Sequence, residues 1–447
     1  MPFPDLYSKK DFFMDLLIKN CRILNLRPPG TAGGDVLIRD GAIRSAGGDV
    51  SVPESKNVKT IDAAGRLLIP GNVCAHNHFY SALARGMTAK LDPIYDFVTV
   101  LRNLWWKLDR SLDEETLALS GIVGCIEAIR AGTTAVVDHN ASPSFIKGSL
   151  SLLGEGFQKT GLRGLLCYEV TDRGGDRERD EGVEENVSFI KGESGLLRGA
   201  VGAHAPFTLS DRTLSMLREA VRETSRGIHV HVSEDRYDLS HSHAEYGLAP
   251  VERLDKFGLL DAKSIIVHGV HLLEKEVRLL EERDCFLVHN PRSNMNNAVG
   301  YNPRLLSFKN LALGTDGIGS DMFEEMKLGC FKNRDGGGDA GPDDFLSILW
   351  NGNRLLERYF DAKFGRIEPG CEADLVLLDY PRPTPLNGKN AAGHFIYGMG
   401  SSAVRTVIVG GRVVYENGSF PFDVDDIYEK ARKCAPDLWK RAERAEG

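Results

Sequence analysis

Four short stretches place histidines and carboxylates where they could share a metal ion. His76-Asn77-His78 is the first. On a β-strand, residues two apart point the same way, so both imidazoles can reach one cation. Two structural histidines would read identically in isolation. The second stretch is Ile228-His229-Val230-His231-Val232-Ser233-Glu234, another His-x-His followed three residues later by a carboxylate. Val267-His268-Gly269 and Leu313-Gly314-Thr315-Asp316-Gly317 add an imidazole and a further carboxylate. Three imidazole nitrogens, one carboxylate oxygen and an open position for water make a hydrolytic site suited to Zn²⁺ or Fe²⁺. Glu234 could then move protons, and Asp316 could accept one from the activated water.

These residues need elements that bring them together. Eight apolar runs read as buried strands: 72–78, 133–139, 164–170, 200–204, 228–232, 264–268, 285–290 and 311–316. Helical periodicity fills the intervals. In 213–223, Leu214, Leu217 and Val221 share a face behind a Ser210 cap, and 276–282 and 345–359 behave similarly. Eight strands alternating with helices over about 250 residues match a (β/α)₈ barrel. A doubly wound sheet also absorbs that alternation. The chemistry decides for the barrel, because most of the 12 histidines lie in or just after these strands, and barrel sites form at strand C-terminal ends.

The two ends of the chain differ from this middle. Residues 14–70 and 365–420 alternate short β-branched runs with turn signals such as Asp40-Gly41, Gly47-Gly48, Gly410-Gly411 and Asn417-Gly418. Such runs form a small antiparallel sheet or sandwich. The expected organisation is a composite β-sandwich from 1–70 plus 365–447, ending in a helical tail, beside a barrel over 71–364.

The 447 residues are 42% hydrophobic and 26% charged, with a net charge of −8, which describes an ordinary globular chain. No basic run offers a footprint for phosphates, so nucleic acid and anionic membrane are excluded as partners. Eight cysteines lie scattered without a CxxC pair and read as reduced, buried thiols that take no part in the chemistry. The start of the chain is charged and lacks a signal peptide's apolar stretch, and no run approaches the roughly 20 apolar residues of a membrane span. A cytoplasmic location is expected.

Pro70-Gly-Asn-Val-Cys-Ala-His76-Asn-His78, Ala84-Arg85-Gly86, HVHVSE at 229–234, VHG at 267–269 and GTDG at 314–317 together resemble the amidohydrolase superfamily. More narrowly they resemble its aminohydrolase/chlorohydrolase branch, which includes cytosine, guanine and S-adenosylhomocysteine deaminases. Leu104-Trp105-Trp106, Asp138-His139 and residues 202–207, 289–297 and 320–326 are similar to the purine-associated SsnA aminohydrolase group within that branch. The resemblance spans nearly the whole chain, both terminal β segments included.

The resemblance implies metal ligands His76, His78, His231 and Asp316, a proton shuttle at Glu234, and His268 orienting substrate or attacking water. It thereby assigns the ligand role to His231 over His229. Binuclear relatives carry a carboxylated lysine on the fourth strand, and 199–204 holds none. One divalent ion is therefore expected, Zn²⁺ first and Fe²⁺ second. His204, Trp106 and Arg292 are the expected substrate contacts. The implied reaction is deamination of a purine- or pyrimidine-like ring, with cyclic amide opening as the alternative and a ligand-binding protein without activity as a third reading. Relatives are often dimers or larger, so a homo-oligomer is expected. Asn77 stands where the branch commonly has Thr, and the stretch after Asp316 is shorter than usual. His241 and His243 read as loop residues, and Gly336-Gly337-Gly338 reads as a flexible loop.

Overall fold

The computed structural model describes residues 15–48, 50 and 58–446. The charged start of the chain, read above for a signal peptide, lies outside them. Five N-terminal strands come first: β1 (Asp15–Leu26), β2 (Pro29–Arg39), β3 (Ala42–Ala46), β4 (Val58–Asp62) and β5 (Leu67–Pro70). The chain then enters β6 (Asn72–Asn77), β7 (Thr133–Asn140), β8 (Arg163–Tyr168), β9 (Leu197–Gly199), β10 (Val201–Ala203), β11 (Ile228–Val232), β12 (Ile265–His268), β13 (Phe286–His289) and β14 (Leu311–Leu313). Three more, β15 (Leu375–Leu378), β16 (Val404–Val409) and β17 (Arg412–Glu416), return to the N-terminal strands.

β15 pairs with β5 and β16 with β15, so both termini join one eight-stranded sheet in the order β17-β16-β15-β5-β1-β2-β3, with β4 on β1. Hydrogen bonding is continuous through this sheet. A bulge between Ile18 and Cys21 interrupts β1, and such a bulge bends the strand that carries it. Leu16, Ile18, Val36, Ile38, Leu375 and Leu377, spaced two apart, meet in one apolar cluster.

The central strands form two parallel sets, β6-β7-β8-β9 and β10-β11-β12-β13-β14. Backbone bridges join the sets at both seams, Asn77 to Asp316 and Val170 to Ala203. β9 and β10 are one stave interrupted at Ala200, which leaves eight staves, as the (β/α)₈ reading requires. Helices fill the intervals, among them Asp211–Thr224 behind its Ser210 cap, Glu274–Glu282 and Pro342–Phe360.

Side-chain parity along the staves sets what enters the barrel. Val73, Ala75, Ala135, Val137, Leu165, Cys167, Ile265, Val267, Phe286, Val288 and Ala312 pack as one internal cluster. Their neighbours, Cys74, Val136, Leu166, Ile266 and Leu287, face the helices instead. Continued by two, the inward parity delivers His139 on β7 and Glu169 just past β8. β6 breaks parity: its register shifts between Cys74 and Asn77. A bulge of this kind re-aims the side chains beyond it, which brings His76 and His78 inward.

Candidate active site

At the C-terminal ends of the staves, His76, His78 and His231 converge on Asp316. His78 Nδ1–H donates to the His139 carbonyl at 2.7 Å, and His231 Nδ1–H to the His204 carbonyl at 2.9 Å. Both rings therefore turn Nε2 inward. These Nε2 atoms stand 3.2 Å apart, and His231 Nε2 is 3.2 Å from His76 Nε2. Asp316 Oδ1 lies 2.9 Å from His78 Nε2 and 3.3 Å from His76 Nε2.

A tetrahedral Zn²⁺ site with bonds of about 2.0–2.1 Å has ligand-to-ligand edges of about 3.3 Å. Four contacts among the donor atoms, at 2.9, 3.2, 3.2 and 3.3 Å, stand near that spacing. Lone pairs aimed at one another repel unless a cation lies between them. The ionisation equilibria agree. Burial opposes charge on all four groups, but Asp316 pushes His78 up to about 9, while burial takes His76 down to about 3 and His231 well below the usual range. Although burial acts against it, hydrogen bonds from His76 and His78 hold Asp316 well below the carboxylate range. The quartet is built to hold one concentrated positive charge, and a divalent metal ion fits it.

These four side chains are themselves held. Ser293 Oγ donates to Asp316 Oδ2 at 2.5 Å. His76 Nδ1 lies 2.9 Å from His229 Nε2, and His229 Nδ1 lies 3.3 Å from Cys167 Sγ. Thus His229 shares the inward face of His231, one layer deeper, and Cys167, read from sequence as inert, forms the floor beneath it. Asn77 Nδ2 donates to Thr315 Oγ1 at 2.6 Å and Ser320 Oγ at 3.2 Å, tying the first stave to the eighth across the seam. Three non-glycine residues around the quartet take positive φ: Ser233 at 52°, His268 at 70° and Asp316 at 54°. Each such residue costs on the order of 1–3 kcal/mol, a strain that gathers at functional sites.

Glu234 and His268 stand beside the quartet. His268 Nδ1–H donates to Asn294 Oδ1 at 2.8 Å, which leaves its Nε2 facing Glu234 Oε2 at 3.4 Å. Asn297 Nδ2 donates to Glu234 Oε1 at 3.2 Å. Burial pushes the Glu234 carboxyl up to about 6; His268 opposes the rise and Asp316 adds to it.

A cavity opens over these groups, walled by Tyr80, Trp105, Trp106, Asp109, Glu169 and His204. Of the expected substrate contacts, His204 and Trp106 line it. Arg292 does not. Its guanidinium is spent on Glu324 at 2.6 Å, on Glu325, and on the carbonyls of Ile318 and Gly319 at 2.8 and 2.7 Å. It pins the short stretch after Asp316 outside the cavity.

His241 and His243 lie on a helix, Arg236–Tyr246, where a loop was expected. Residues that sequence reasoning gave no role in the site are His139, Glu169, Asp109 and Arg173. Arg173 stacks 4.6 Å over the Trp106 ring and bonds Asp109 at 2.9 Å. The signal for His139 and Glu169 was strand parity, each standing two residues beyond a buried apolar residue.

Residues 67–414 match the Amidohydrolase family. The chain belongs to that family. It is 33% identical over 425 residues to a 5'-deoxyadenosine deaminase of Methanothermobacter thermautotrophicus, covering 92% of this chain and 96% of that one. It is 30% identical over 412 residues to a 5-methylthioadenosine/S-adenosylhomocysteine deaminase of Thermococcus sibiricus, covering 90% and 94%. In fold it is similar to a zinc-bound adenosine deaminase from Xanthomonas campestris, with TM-score 0.79 at 24% identity over 96% of this chain and 99% of that one. A triazine hydrolase of Arthobacter aurescens superposes with TM-score 0.80 at 18% identity, over 95% and 100%. No described helix is long and apolar enough to cross a membrane.

Proposed function

We propose that the protein is a zinc-dependent aminohydrolase that replaces the amino group of a nitrogen heterocycle with oxygen and releases ammonia. The observation that carries this reading is the quartet itself: three imidazole nitrogens and Asp316 in contact at 2.9 to 3.3 Å, with the carboxyl of Glu234 and the imidazole of His268 beside it. The names of the two relatives at 30–33% identity support aminopurine nucleosides as the first substrate class. His76, His78, His231 and Asp316 would hold the zinc ion. When bound, zinc supplies the Lewis acidity that makes water nucleophilic near neutral pH.

The chain's own residues do the rest. Glu234, poised at about 6, takes up a proton and holds it long enough at neutral pH to return it to the departing nitrogen. His268 faces Glu234 Oε2 and can share that proton, while Asn294 fixes its ring. Trp105 and Trp106 give the cavity flat apolar walls for a ring, and together with Tyr80 they limit access of bulk water.

The test is a turnover screen of zinc-loaded protein against aminopurine nucleosides, aminopyrimidines and cyclic ureides, following ammonia and new carboxylate together. Ammonia without carboxylate is the expected result. Carboxylate without ammonia would replace deamination by ring opening, and neither product across the screen would remove the enzyme reading.

A further inference from the structure

Beyond the rim of the cavity the surface continues in a groove. Trp106 and Phe207 line both, so the two spaces adjoin at those side chains. Tyr237, His241 and Tyr246 wall the outer part, all from the helix Arg236–Tyr246 that follows Glu234. Rings step outward from the quartet in a series. The His231 and His204 centroids are 5.8 Å apart, those of His204 and Phe207 5.5 Å, and those of Phe207 and Tyr237 5.4 Å. Tyr237, the outermost, is 39% exposed. Its ring meets that of Phe207 at 88°, and the His241 ring lies 5.6 Å from it. Two rings at a right angle make a corner. A third ring entering it can stack on one wall and turn its edge to the other, the two arrangements that aromatic pairs prefer.

The groove's charged groups favour no ionic ligand. Two arginines, Arg102 and Arg173, and two carboxylates, Asp172 and Glu245, border it and cancel. Asp172 already accepts from the Ser210 amide and the Thr213 hydroxyl, at 2.6 Å each, and Arg173 is held by Asp109 at 2.9 Å. Arg102 and Glu245 are exposed, and a charge pair made in water contributes little. A flat apolar group, by contrast, removes area from water on each ring it touches. We infer that the groove is an outer subsite of the active site, where an aryl group carried by the substrate docks between Phe207 and Tyr237 while the amino-bearing ring sits at the quartet. This rests on the deaminase reading and deepens it: the substrate class becomes an amino heterocycle with an aryl-bearing arm. His241, which the quartet leaves unused, becomes a wall of that subsite.

The test places the arm on the 5′ carbon of a nucleoside, the end furthest from the amino group. Adenosine and its 5′-phenylthio and 5′-cyclohexylthio derivatives are compared as substrates of zinc-loaded protein by ammonia release. Their inosine counterparts, which have no amino group to lose, are compared by calorimetry. The two arms are similar in bulk, and only one is flat. Both armed inosines are expected to bind tighter than inosine. The phenylthio compound is expected to exceed the cyclohexylthio one by about two- to tenfold, the range for an aromatic pair beyond its area burial. The same ratio is expected in kcat/KM of the adenosines. Tyr237→Ala should bring the ratio close to one, and Tyr237→Phe, which keeps the ring, should preserve it.

A ratio near one in the wild type, or a ratio that survives Tyr237→Ala, overturns the subsite. So does a change of oligomeric state in Tyr237→Ala, read by light scattering, since the groove would then be a contact between copies of the chain. Arm-dependent binding of the inosines without ammonia from any adenosine would remove the deaminase reading and leave the subsite standing. Ammonia release with no dependence on the arm would do the reverse. Neither binding nor ammonia across the series overturns both.

Discussion

Glu234 and Glu169 enter the cavity from the ends of two different staves, β11 and β8, and each has imidazoles for neighbours. Their partners set them apart. Glu234 receives one hydrogen bond, from Asn297, and burial brings it to about 6, where a carboxyl can both take and give a proton near neutrality. Burial also opposes ionisation of Glu169, but His204 and His139, the latter 3.2 Å away, bring it down to about 2. The same side chain is thus raised on one flank of the quartet and lowered on the other, a division set by environment rather than by residue type.

The largest expected effect comes from breaking what the two flanks share. His231→Ala or Asp316→Ala leaves a buried set of donors short of one ligand; zinc content of the purified protein should fall well below one equivalent, and ammonia release to background. Metal analysis checks the first and a coupled ammonia assay the second. Full zinc occupancy in either variant would remove that residue from the quartet.

Glu234→Gln should behave differently from a ligand variant. It keeps the shape and the Asn297 contact but cannot carry a proton, so zinc should remain at one equivalent while kcat falls by about 10²–10⁴-fold. Undiminished turnover would take Glu234 out of the mechanism and abolish the contrast with Glu169.

How far the sequence disclosed these two flanks follows from the kind of signal each left. His76, His78, His231, Glu234, His268 and Asp316 stood in short motifs at strand ends, where spacing let their side chains meet and the family resemblance implied their roles. The eight staves were legible for the same reason, as buried apolar runs between helical intervals. His139 and Glu169 had no paired neighbour; only parity carried past Val137 and Cys167 marks them as inward, and parity fails wherever a bulge occurs, as it does in β6. Arg292 was misplaced because its owners, Glu324 and Glu325, sit over 30 residues away on another helix. His268 enters the cavity through a positive φ, a backbone choice that no side-chain pattern reports.

The flanks should also separate in their pH behaviour. If Glu234 must be ionised to take up the first proton, kcat/KM rises about tenfold per pH unit up to about 6 and levels above it. The sign follows from the direction of the shift: a raised carboxyl is still protonated, and so unable to accept, at pH values where an ordinary glutamate would already be charged. Glu169, at about 2, adds no limb in the working range. The profile is measured with zinc content confirmed constant at each pH. A limb centred near 4.5 would show that burial does not govern Glu234.

The smallest expected effect lies beneath both flanks, at His229. It presents Nε2 to His76 Nδ1 and backs onto the Cys167 thiol, which burial keeps protonated. Removing the partner of a metal-bound imidazole loosens its orientation and lowers affinity by about 10–100-fold. His229→Leu should therefore weaken zinc binding by that factor, read by competition with a chelator of known affinity, while saturating zinc restores most of kcat. Cys167→Ala removes only the support behind His229, so its effect should be smaller still, and Cys167→Ser, which keeps an acceptor there, smaller than Cys167→Ala. An equal loss in all three variants would mean that cavity formation in the packed barrel interior, rather than the His76–His229 contact, sets the metal affinity.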